Sequence, residues 1–168
     1  CSSDNTSATT DNNTITFNTL SDSTYSNCTL YVTSSSGKKG NTLSVTSFKV
    51  DTTSPSISPV TAVTTPTKVT TPSYAFSSNE AGTISYGGSC SSGTTSASSG
   101  TNSISFNTLN QGTYTNCTIT VTDSLGHASS ALSVNTFVVD TTAPTLSRVT
   151  GVTTPTTDNT PSYSFSSN

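Results

Sequence analysis

Four cysteines carry the most reactive chemistry in this chain. Cys1 and Cys28 are 27 residues apart, and so are Cys90 and Cys117. Paired thiols can form a structural bridge, ligate a metal or act as a redox couple. The spacing fits no zinc pattern, and the single histidine, His127, is distant from both cysteines of the first pair. His127 falls in a predicted loop with no obvious partner. The 39 Thr and 35 Ser provide many hydroxyls, but no Gly-x-Ser-x-Gly elbow arranges one as a nucleophile. No catalytic set is visible, and the reading is non-enzymatic. Asn5, Asn12, Asn27 and Asn116 open Asn-x-Ser/Thr sequons, and the hydroxyl-rich surface could equally carry O-linked sugars. Lys38 and Lys39 read as a solvated turn pair.

Charge and hydropathy exclude other classes. Five Lys and Arg against eight Asp and Glu give a net charge of −3, the wrong sign for a phosphate-binding surface, so no nucleic-acid partner is expected. No run approaches the roughly 18 apolar residues of a spanning helix. Strong helix formers are scarce, whereas Val, Ile, Tyr, Phe and Leu fall in alternating runs. This is the pattern of many short, half-buried strands.

An internal repeat organises those strands. Ile15-Thr-Phe-Asn-Thr-Leu20 returns as Ile104-Ser-Phe-Asn-Thr-Leu109, and Thr24-Tyr-Ser-Asn-Cys-Thr29 as Thr113-Tyr-Thr-Asn-Cys-Thr118. The offset is 89 residues throughout, without a gap, and 46 of the 79 pairs are identical. Residues 1–50 therefore read as the C-terminal part of one repeat, 51–139 as a complete repeat and 140–168 as the N-terminal part of the next. The simplest expectation is a window of a longer tandem array. The other is a polymer subunit whose partial ends complete one another between chains, lacking the ten residues that match Glu80 to Ser89.

Within 51–139 the pattern predicts about seven strands with turns every 8 to 12 residues, which argues for an immunoglobulin-like Greek-key β-sandwich. A Pro-rich first strand should lie at an edge. Tyr74 and Phe76 should share one face of the second strand, and Ile84 and Tyr86 one face of the third. Cys117, Ile119 and Val121 should share a face of the longest strand, Thr113 to Asp123. Tyr114 has the opposite parity there, which predicts a bulge near Thr115 and Asn116. In such a sandwich the cysteines of each pair lie on neighbouring strands. Bridges Cys1–Cys28 and Cys90–Cys117 are then the favoured reading, worth about 3 kcal/mol each in the chain-entropy picture and implying an oxidising setting.

The segments Leu109-Asn-Gln-Gly-Thr-Tyr114, Thr118-Ile-Thr-Val-Thr-Asp123-Ser-Leu-Gly126 and Val139-Asp-Thr-Thr-Ala-Pro144 resemble the bacterial Ig-like tandem repeats of giant extracellular surface proteins and adhesins. Tyr25 and Tyr114 sit where that resemblance would place a tyrosine corner, and the cysteine pair lies outside the common pattern. The resemblance implies an extracellular or cell-surface filament or stalk whose partners are neighbouring repeats, or copies of itself in a fibre. An adhesin module recognising a carbohydrate or a surface protein is the alternative. It also raises calcium at repeat junctions. Asp51, Glu80 and Asp123 would meet at one end of the sandwich, and Asp22 in the preceding repeat could add a fourth carboxylate to the six to eight oxygens Ca²⁺ prefers. Ser34 and Gln111 stand at the positions equivalent to Asp123 and Asp22, which favours ordinary solvated loop acids.

Overall fold

The computed structural model describes all residues, 1–168, and is entirely β and loop, with no helix. No helix is therefore long and apolar enough to cross a membrane. Nine strands fall within 51–139: β5 (Ile57–Thr61), β6 (Ser73–Ser78), β7 (Gly82–Gly87), β8 (Ser96–Ala97), β9 (Gly100–Ser105), β10 (Gly112–Tyr114), β11 (Thr118–Thr122), β12 (Leu132–Ser133) and β13 (Phe137–Val139). They are preceded by β1 (Ser23–Tyr25), β2 (Thr29–Leu30), β3 (Leu43–Ser44) and β4 (Phe48–Val50), and followed by β14 (Leu146–Thr150) and β15 (Ser164–Ser167).

The central segment holds three antiparallel sheets: two larger ones, with strand orders β5-β6-β9 and β12-β11-β7-β8, and the β10-β13 pair. Short alternating sequences explain their inner faces, because successive side chains of a strand point to opposite sides. Tyr74 and Phe76 on β6 and Ile104 on β9 come from the first sheet. Ile84 on β7 and Ile119 and Val121 on β11 come from the second. All six belong to one buried cluster, so a single core lies between the two sheets.

The first strand is an edge strand, as its prolines require. β5 pairs only with β6, and its register shifts between Pro59 and Thr61, where proline cannot donate to the ladder. Beyond it the chain crosses to β13, which pairs with β10. Asn135 holds this crossing by accepting from the Val63 amide at 2.9 Å and donating to the Val63 carbonyl at 3.0 Å. Thr67 then bridges Val139 in parallel.

The long strand anticipated at Thr113 to Asp123 is two strands. The parity change is not a one-residue bulge. Tyr114 faces Phe137 and Thr118 faces Ser133, so three residues stand opposite three and the register is kept. Both chains leave the ladder together and both change parity. As a result Val134 and Phe137 are buried although they are three apart. The shift lets Tyr114 stack on Phe137 with ring centroids 5.1 Å apart, while Phe106 stacks 6.1 Å from the same ring. The preceding segment keeps this arrangement, with Tyr25 at 5.3 Å and Phe17 at 5.7 Å from Phe48.

Candidate functional site at the repeat junction

The anticipated bridges are both present, Cys1 to Cys28 and Cys90 to Cys117, with Cα atoms 5.6 and 5.2 Å apart. No free cysteine remains. Cys90 follows the turn at the end of β7 and Cys117 immediately precedes β11, its neighbour in the sheet. Gly88 makes that turn possible. Its φ of +73° lies in the left-handed region, and a Cβ there would collide with the Asn116 carbonyl. The bridged sulfurs are buried in the complete repeat and offer neither a metal nor a nucleophile.

Asp51, Glu80 and Asp123 do converge. One carboxylate oxygen from each lies within 4.8 Å of the others, and all three residues are half-buried. They come from the start of the repeat, the β6–β7 turn and the β11–β12 turn. Three carboxylates at this distance could furnish part of a calcium shell. Protein groups already engage two of them. Lys49 Nζ donates to Asp51 Oδ2 at 2.7 Å, and Thr53 donates to Asp51 Oδ1 through its amide and its hydroxyl. The lysine hydrogen bond, followed by those of Thr53, holds the Asp51 carboxyl below its ordinary range. In return, hydrogen bonding and attraction to Asp51 raise the Lys49 ammonium, with further attraction from Glu80 and Asp123. The lysine thus brings a positive charge from the preceding segment to the acidic end of the complete repeat.

Asp123 organises a hairpin turn. Its Oδ1 accepts from the Leu125 and His127 amides, both at 2.8 Å, and its Oδ2 lies 2.9 Å from His127 Nδ1. Burial pushes its carboxyl up, but the His127 side chain and the two amides outweigh that and hold it below its ordinary value. His127, which had no obvious partner in the sequence, therefore has one. The four-residue spacing across Asp123-Ser-Leu-Gly126 was the available signal. Ser34 does the same work in the preceding segment, its Oγ accepting from the Lys38 amide at 3.1 Å. Position 123 thus keeps its turn-forming role between copies without keeping its charge.

Asp22 does not join the acidic cluster. It accepts from Thr52, at 3.1 Å from the amide and 2.9 Å from the hydroxyl, and so fixes the segment that links β4 to the next repeat. Gln111 takes the equivalent place at the next junction, where Oε1 accepts from Thr141 at 3.2 Å and from Thr142 at 2.6 Å. Asp140 repeats the role of Asp51, accepting from the Thr142 amide at 2.9 Å. The sequence comparison emphasised charge at these positions. What both junctions retain is a side-chain oxygen that accepts from a threonine of the linker.

Tyr25 and Tyr114 form matching contacts, each hydroxyl donating over 2.9 Å to the carbonyl four residues upstream, Ser21 and Asn110 respectively. This is tyrosine-corner geometry. The sequon asparagines Asn5, Asn12, Asn27 and Asn116 are all exposed, and Asn116 also accepts from the Ser89 amide at 3.1 Å. No protein-family model matches the chain, and no curated protein matches it at a significant level.

Proposed function

We propose that this chain belongs to an extracellular tandem array of disulfide-stapled, immunoglobulin-like sandwiches that serves as a filament or surface stalk without catalysis. The strand orders β5-β6-β9 and β12-β11-β7-β8, together with the parallel contact of Thr67 with Val139, support the immunoglobulin-like reading. The resemblance to bacterial Ig-like repeats of giant surface proteins points the same way. Intramolecular bridges suit an oxidising compartment and hence an extracellular setting. Residues 1–50, 51–139 and 140–168 are then consecutive parts of the array.

One observation carries the reading. Between the copies, Ile15/Ile104, Phe17/Phe106, Tyr25/Tyr114 and Val32/Val121 are unchanged, whereas Asp4/Gly93, Asp11/Gly100, Lys38/His127 and Lys49/Val138 differ. A binding site repeated in every unit would need its surface residues retained, and here the inner residues are retained while the polar ones drift. Repetition then supplies length, because each unit contacts mainly its neighbours.

Small-angle scattering of a three-repeat protein tests this. The expected result is a rod that lengthens by about 40 Å per repeat, from the extended run of β12 through β13, at about 3.3 Å per residue, plus turns. A coil-like spread of distances would contradict it. Saturable, micromolar binding of one defined sugar, abolished by a single loop substitution, would instead support the adhesin reading. Asp22–Thr52 and Lys49–Asp51 already join protein groups at this junction, and chelation should leave the rod unchanged. Loosening on chelation would instead assign calcium to Asp51, Glu80 and Asp123.

A further inference from the structure

The edge of a sheet is where a sandwich can add a strand, because a row of main-chain N–H and C=O groups has no partner there. The complete repeat blunts its edges in all places but one. β8, β10 and β12 are two or three residues long, and Thr67 bridges β13. β5 closes one end of the β5-β6-β9 sheet. The Asn79 amide donates to the Ser56 carbonyl, and the register carried along this ladder turns the main chain of Ile57 and Pro59 outward. Proline has no donor to offer there. The other end is β9, six residues long, Gly100-Thr-Asn-Ser-Ile-Ser105, with neither proline nor charge.

The direction of its free groups follows from the pairing with β6. The Phe106 amide donates to the Pro72 carbonyl at 3.0 Å, and Ser73 stands opposite Ser105. Bonded and non-bonded pairs alternate along an antiparallel ladder. Gly100, Asn102 and Ile104 therefore bond to β6, while Thr101, Ser103 and Ser105 turn their main-chain groups away. The Ser105 carbonyl fits this parity, since it accepts from the Ser92 hydroxyl at 2.7 Å. Nothing else in the chain hydrogen-bonds to the main chain of Thr101 or Ser103.

We propose that β9 pairs antiparallel with β9 of a second copy, about a two-fold axis at Asn102. Thr101 then stands opposite Ser103 of the other copy, and Ser103 opposite its Thr101, so that each free N–H meets a free C=O. Shifting the register by two residues either way would bring in Ser99, outside the strand, or Ser105, whose carbonyl is already occupied. A foreign extended peptide is selected through pockets for its alternate side chains. This edge presents only the exposed hydroxyl side chains of Thr101, Ser103 and Ser105. A second copy needs no pocket, because the contact is self-complementary. No charged residue lies between Glu80 and Asp123 in the sequence, so the paired strands bring no like charges together.

The pairing stops at two copies. Both ends of the joined sheet are then β5, blunted by Pro59. One contact of this size is weak, of about millimolar affinity. Chains that present the edge in several repeats would bind side by side far more tightly, which makes β9 a bundling surface. That last step rests on the array reading, whereas the pairing itself needs only the complete repeat.

Amide exchange of the 168-residue chain, followed by NMR from about 0.05 to about 5 mM to bracket that affinity, tests the pairing. The Asn102 and Ile104 amides should be protected at every concentration. Those of Thr101 and Ser103 should exchange freely in dilute solution and slow severalfold at the highest concentration. Thr101→Lys with Ser103→Lys alters exposed side chains, so the melting of the central repeat should not change. It sets like charges opposite one another and should abolish the slowing. Thr101→Lys with Ser103→Glu sets unlike charges opposite one another and should restore it. Rates at Thr101 and Ser103 that ignore concentration would overturn the proposal. So would slowing that survives the first variant, or that the second fails to restore. Any of these results leaves the array reading to the separate scattering measurement.

Discussion

The complete repeat and the partial segments around it share sequence but not environment. Tyr74 and Phe76 are 2% and 0% exposed, whereas their counterparts Tyr163 and Phe165 are 57% and 59% exposed. Val121 is fully buried, and its counterpart Val32 is 54% exposed. The same residue in the same local strand pattern is core in one place and surface in another. Burial here belongs to the assembly of strands, because an inward side chain is covered only when the facing sheet is present. Locally closed features survive in the partial segment. The disulfide, the tyrosine corner and the aromatic stack on Phe48 all recur between residues 1 and 50.

The sharpest way to break this comparison is to truncate equivalent aromatics. Phe76→Ala should cost about 3–5 kcal/mol in denaturant unfolding of the central repeat, from lost burial plus the cavity left behind. Phe165→Ala in dilute solution should stay within about 0.5 kcal/mol, as an exposed substitution does. Equal losses would mean that 140–168 is already packed in the single chain.

Removing the bridges comes next. Replacing Cys90 and Cys117 together by serine should cost about 2–5 kcal/mol, read as a lower denaturation midpoint. Replacing Cys1 and Cys28 should leave the midpoint of the central repeat unchanged while loosening residues 1–50 to proteolysis. If both pairs lowered the central midpoint alike, the two segments would be folding as one unit.

Tyr74→Phe should produce a smaller change of opposite sign. The Tyr74 hydroxyl is buried without a hydrogen-bond partner, and burial raises its pKa. Deleting an unsatisfied hydroxyl relieves its desolvation, so stability should rise by about 1 kcal/mol. A loss of stability would reveal a partner for that hydroxyl.

The smallest effect is acid sensitivity of one turn. Asp123 has a lowered pKa, so its contribution is present above the ordinary 3.8 and is lost as pH falls through its lower folded value. Amide exchange at Leu125 and His127 should accelerate on acidification relative to unfolded reference rates. The Lys38 amide, held by the Ser34 hydroxyl, should show no such change. Parallel acceleration at Lys38 would point to general unfolding.

The sequence by itself determined the all-β character, the inner faces of most strands and the cysteine pairs, because each depends on short-range periodicity or on a spacing repeated at one offset, whereas it merged β10 with β11 and β12 with β13. It also marked Asp51, Glu80 and Asp123, since strand order alone brings their three turns to one end. The tertiary structure decided what the pattern left open. Parity at Tyr114 suggested a bulge, but only the pairing of β10 with β13 shows both chains leaving the ladder together, since parity in one strand says nothing about its partner. Asp22 looked like a fourth ligand until its distance to Thr52 placed it on the linker, and His127 gained a partner only once the turn folded back. Burial was the least legible property. Tyr74 and Tyr163 are identical in type and nearly so in local sequence, yet only Tyr74 is buried, in one cluster with residues of β7 and β11.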